Sequence, residues 1–138
     1  MVESMPQGVP GAGRGLNTTH TWASTYWGGA LFCFLADLQI RERTHDRRSL
    51  QTALRAIVAE GGSIDNSWPI ERVLTVGDRA TGTTVLHDLY AAIGDRGETV
   101  NLTAIWKELG VATSGDVVSF NPKARFAAIR AAMVVGPR

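Results

Sequence analysis

The chain has 138 residues, enough for one domain to bury a core without disulfide or metal staples. Its composition is globular, 44% hydrophobic and 20% charged. The net charge is +1, and twelve arginines and two lysines are spread among 13 acids, which excludes bulk attraction to nucleic acid or an anionic membrane.

Residues 1–18, MVESMPQGVPGAGRGLNT, are rich in Gly and Pro and read as a flexible lead-in. They lack the basic and apolar regions of a signal peptide, so the chain as written is expected to stay where it is made. GAGRG is not a phosphate loop, because no strand precedes it and no Gly-Lys-Ser/Thr follows. The first helix is expected from about Ser24 to Arg43. Leu31, Phe34, Leu35 and Leu38 make one stripe; Ala30, Cys33 and Ile40 make another, and Phe32 adds a third direction. A helix apolar on all sides is expected in the middle of a structure. The single cysteine, Cys33, is then a buried, inert thiol. Gly28 and Gly29 each cost about 1 kcal/mol inside a helix, which makes sense where a backbone or ligand comes close. Asp37 is the odd residue of this helix, and Arg41, one turn on, is its expected partner.

Thr44 to Arg48 form a charged turn. Ser49 caps a second helix, Leu50 to Glu60, with Leu50, Ala53, Leu54, Ile57 and Val58 on one face and Gly61-Gly62 as terminator. Ser67-Trp68-Pro69 starts a third helix, with Ile70, Val73 and Leu74 inward, which Gly77-Asp78 is expected to stop. A fourth runs through Val85–Ile93, and Asn101 caps a fifth over Leu102–Leu109. Val117, Val118 and Phe120 suit a short extended segment. Asn121-Pro122 then opens a last helix through about Met133. Six helices and at most one extended segment make the class all-α, a compact bundle over residues 19–134 with a tail at 135–138. No stretch reaches the ~18 apolar residues of a membrane span.

Candidate chemistry is sparse. The histidines are His20, His45 and His87, none within one helical turn of another, so the spacing offers no self-contained zinc site and no metal ligands. No G-x-S-x-G elbow is present, and Ser24 near His20 lacks an acid to orient the imidazole. His45 in THDRR reads as a solvated surface residue, and so does His87, which lies off the apolar stripe of its helix. His20 differs, because Trp22, Tyr26 and Trp27 follow it closely. Tyr26 suits either a core tyrosine or a phenol aimed at a reacting oxygen.

The stretch from Thr19 to Thr44 resembles the glycyl aminopeptidase family of zinc peptidases, many of which carry a PDZ domain. In that family a helix opens Tyr-x-x-Gly and ends like D-L-x-I-R-x-x-T. Here Tyr26-Trp27-Gly28-Gly29 fills the opening, and Asp37-Leu38-Gln39-Ile40-Arg41-Glu42-Arg43-Thr44 fills the end. Arg48-Ser49-Leu50 with Ala53-Leu54-Arg55 is similar to the family's next segment. The likeness is specific over residues 19–60 and looser to about 133. It implies a fold like the C-terminal helical subdomain of thermolysin-like peptidases. It also implies that Tyr26 donates to the oxyanion of a tetrahedral intermediate, that His20 faces the site, and that Trp22, Trp27, Gly28 and Gly29 border the substrate cleft. Gly28 departs from the pattern, standing where many relatives have lysine or another polar residue.

In the family the H-E-x-x-H helix and a downstream glutamate ligand precede this helix. The resemblance therefore implies the helical portion of a zinc aminopeptidase acting on peptides, with zinc held outside this sequence and no cofactor bound by it. Alone it is expected to hydrolyse no peptide, and to self-associate or join the catalytic half through an uncovered face. The compartment of such a parent is left open, the periplasm included. The alternative expectation is a non-catalytic helical scaffold that binds a partner through the Trp22–Trp27 surface.

Overall fold

A computed structural model describes residues 22–135, and the side chains from Tyr26 onward. The expected lead-in, His20 and the residues beyond Val135 lie outside the described residues. The described residues form six helices and one two-stranded hairpin. The chain is all-α in character, as the helical periodicity and the scarcity of strand signals predict. The helices are α1 (Trp22–Thr44), α2 (Leu50–Ala59), α3 (Ile70–Thr81), α4 (Val85–Leu89), α5 (Leu102–Leu109) and α6 (Ala127–Val134). A π-helical turn, Tyr90–Asp95, continues α4. The contacts of the described residues gather into two compact units, divided between Thr99 and Val100.

In the first unit α2 packs most extensively on α3, and α1 touches both α2 and α4. The buried side chains include Leu35, Leu38 and Ile40 of α1, Leu74 and Val76 of α3, and Val85, Leu86 and Leu89 of α4. Burying each such side chain contributes about 1.5–3 kcal/mol. The all-round apolar sequence of α1 predicts burial on every side, and the structure corrects this. The C-terminal half of α1 is covered, whereas Tyr26, Gly29, Ala30 and Cys33 are exposed. The stripe of α2 is likewise only partly covered, with Ala53 buried and Leu54 and Val58 exposed.

α2 ends as expected: the Gly61 amide donates to Val58 O at 3.0 Å and the Gly62 amide to Ile57 O at 2.9 Å, the paired bonds of a Schellman motif. α3 does not stop at Gly77-Asp78. Gly77 serves close packing instead. A β-carbon there would stand 3.2 Å from Ala53 Cβ and run into Leu86 Cδ1, so its absence lets α2 and α4 approach α3. The helix runs on to Thr81 and ends at Gly82.

In the second unit, Asn101 caps α5 by accepting from the Ala104 amide at 3.0 Å. Gly110 closes that helix at φ +71, and a side chain there would meet Asn121 O at 2.5 Å. An antiparallel hairpin follows, β1 (Val111–Ser114) with β2 (Val117–Phe120), registered Val111 to Phe120. Only the second strand was legible as an extended segment. The final helix starts at Ala127 rather than at Pro122. Asn121 Oδ1 accepts from the Lys123 amide at 2.9 Å, which holds a turn in place of a helical start. The Asn121 amide bonds Gly110 O at 2.7 Å and the Phe126 amide bonds Glu108 O at 2.8 Å, tying this turn to the end of α5. Arg130 donates to Leu109 O and, at 3.3 Å, to Gly110 O, placing a cation where the dipole of α5 is negative.

Candidate functional site

The residues singled out by the sequence gather on the N-terminal part of α1. Tyr26 is 63% exposed there. Gly29, Ala30 and Cys33 follow at helical spacing on the same exposed stripe. Trp27 is half-buried and Gly28 is buried. Among the described residues, nothing beyond the local turn of α1 lies within 4 Å of where a side chain on Gly29 would begin, which leaves room for another backbone. Trp22 belongs to α1, but its side chain lies outside the described part, as does the whole of His20. The expected meeting of His20 with Tyr26 therefore falls outside the described residues. Cys33 corrects the expectation of a buried thiol. Its apolar surroundings still strip part of its water, and that desolvation pushes the thiol pKa up.

The second half of the resembling segment builds a corner between α1 and α2. Asp37 Oδ1 accepts from the Leu50 amide at 2.8 Å, so a carboxylate of α1 caps α2. Its other oxygen accepts from Arg41 Nε at 2.8 Å. Arg41 also reaches Asp46 Oδ1 at 2.6 Å. His45 and Asp46 take left-handed φ of 53° and 60°, which costs of order 1–2 kcal/mol each for residues with a β-carbon. The Asp46 amide donates to Arg41 O at 2.7 Å and offsets part of this cost. Thr44 is buried; its hydroxyl donates to Ile40 O at 2.8 Å and accepts from the Arg48 amide at 3.1 Å. Asp37, Arg41 and Thr44 are thus all engaged in turning the chain. His45 is exposed in that turn, as expected.

A second polar cluster joins α3 to α4, and the sequence reading missed it. Asp78 is buried, with its side chain 8% exposed. Its Oδ1 accepts from the Leu86 amide at 2.9 Å, and its Oδ2 from the His87 amide at 3.2 Å. The same Oδ2 lies 2.7 Å from His87 Nδ1. Glu71 Oε2 stands 3.5 Å from His87 Nε2. The hydrogen bond to Asp78 raises the His87 pKa, and the charges of Asp78 and Glu71 act in the same direction. His87 is therefore a paired residue rather than a merely solvated one. The available signal was Asp78 directly after Gly77, two turns beyond Glu71 on the same helical face.

Among the described residues, no three His, Cys, Asp or Glu side chains gather into a group that could hold a metal ion. Among them, no helix is long and apolar enough to cross a membrane. Comparison with family models, curated proteins and solved structures finds no match to this chain.

Proposed function

We propose that the chain is the helical portion of a zinc aminopeptidase-like protein, lining a peptide cleft and presenting Tyr26 to a metal held by residues outside this sequence. The observation that carries this reading is Tyr26 standing exposed on a helix whose other end is anchored in the core. An oxyanion donor must be held by a rigid element and yet reach the reacting carbonyl. The open space beside Gly29 suits the approach of a substrate or of a second polypeptide surface. In this reading the stripe Tyr26-Gly29-Ala30-Cys33 lies against the catalytic half. The isolated chain then hydrolyses no peptide, because it brings no zinc-activated water to the tyrosine.

The gene sequence on the 5′ side of the Met1 codon is the first test. An in-frame segment encoding H-E-x-x-H supports the proposal, and unrelated non-coding sequence there sinks it.

The second reading is a non-catalytic helical scaffold that binds a partner through the Trp22–Trp27 surface. It is favoured by the corner residues Asp37, Arg41 and Thr44, whose bonds explain much of the family-like pattern as architecture. Tyr26→Phe separates the two readings. With the zinc-binding half joined to the chain, it lowers kcat in the first; in the second it changes at most partner affinity.

A further inference from the structure

We infer that His87 is a proton-operated clasp between α3 and α4, closed when the imidazole is charged and loosened when it is neutral. The geometry puts His87 across two carboxylates of one helix. Asp78 and Glu71 are seven residues apart on α3, and each faces a different ring nitrogen. Asp78 Oδ2 stands 2.7 Å from Nδ1, so that nitrogen carries the proton of the neutral ring. The neutral ring then turns the lone pair of Nε2 toward Glu71, and two acceptors oppose one another. Protonation converts Nε2 into a donor, and the ring bridges both carboxylates. Asp78 also holds the first amides of α4, so the clasp acts on the element that leads into the π-helical turn.

The other charged groups around His87 leave this logic intact. On its own helix the neighbour is Asp88, and from α1 comes Arg43, which donates to Asp88 Oδ2 at 3.0 Å. Thr84 Oγ1 donates to the same oxygen at 3.0 Å. Asp88 is thus engaged by its own partners. Glu71 is 74% exposed, so its share is the smaller one, and the contact with buried Asp78 dominates.

The sign follows from linkage. A raised folded-state pKa stabilises the fold fully below the unfolded value of about 6.5, and this is lost as pH rises through the raised value. The test is urea unfolding of the full chain, its His87→Gln variant and its Glu71→Gln variant from about pH 8.5 to about pH 5.5, with NMR titration of the His87 ring in the wild type and in Glu71→Gln. The ratio of folding constants, wild type over His87→Gln, is expected to grow as pH falls and to level off below about pH 6.5. Glu71→Gln is expected to lower the ring's midpoint while leaving it above about 6.5, because Asp78 remains. A ratio that does not change with pH overturns the clasp. So does a wild-type midpoint at or below about 6.5, or a midpoint that Glu71→Gln does not move. The two NMR titrations decide the matter even where His87→Gln fails to fold.

Discussion

Replacing Asp78 by alanine removes a buried carboxylate that joins α3 to α4. Three donors lose their acceptor: the amides of Leu86 and His87, and the His87 ring. A hydrogen bond to a charged group contributes about 1.5–3 kcal/mol net, and a buried donor left unpaired costs about 1–3 kcal/mol. The three share one carboxylate and are not additive, and loss of a helix cap alone costs about 0.5–2 kcal/mol. The Leu86 bond is buried while the two His87 bonds are partly exposed, so the sum settles near ~3 kcal/mol. With a urea slope of about 2 kcal/mol per molar, the unfolding midpoint should fall by about 1.5 M. Circular dichroism gives that midpoint. Hydrogen exchange gives its location, with the amides of Leu86 and His87 losing protection first. Asp78→Asn keeps one carbonyl acceptor and should lose about half as much. A loss under about 0.5 kcal/mol for Asp78→Ala would refute the capping role, since surface changes of no consequence lie in that range.

Gly110→Ala should cost about 2 kcal/mol or more, because φ is +71 and the new methyl would meet Asn121 O at 2.5 Å and Ala124 Cβ at 2.6 Å. Hydrogen exchange should then rise in α5, the hairpin and α6 while α3 and α4 keep their protection, as befits two compact units. Cys33 should react with iodoacetamide in the folded protein, because it is exposed. Its rate should climb with pH through a midpoint above that of a free cysteine, because desolvation raises its pKa. Protection of Cys33 from the reagent in the folded monomer would contradict the open face of α1.

Helix existence was legible wherever an apolar period met a cap. Asn101 and Gly110 framed α5 to the residue, and Gly61-Gly62 ended α2 in the expected place. Glycine was misread where packing rather than a turn demanded it, as at Gly77. The hairpin was missed because its signal is short. Ser114-Gly115-Asp116-Val117 is a two-residue loop led by glycine, with Gly115 at φ +57 between four-residue strands. The uncovered stripe of α1 follows from the family resemblance and not from the periodicity, which reports which residues are apolar, not whether anything lies against them. Spacing predicts the pairing of Asp37 with Arg41, but the bond of Asp37 to the Leu50 amide depends on a chain reversal that spacing does not encode. Asp78 and His87 are nine residues apart on different helices, so their pairing appears only once α3 and α4 are packed.

The proposed role of Tyr26, a donor toward a metal centre, is tested most directly by one kinetic comparison. The chain, joined to an H-E-x-x-H segment and loaded with zinc, is assayed on an aminopeptidase substrate with and without Tyr26→Phe. The proposal predicts that kcat falls by about 10²–10³-fold while KM and zinc content stay as they were, the pattern left by removing one oxyanion donor. Equal kcat values in two fully zinc-loaded proteins would contradict it.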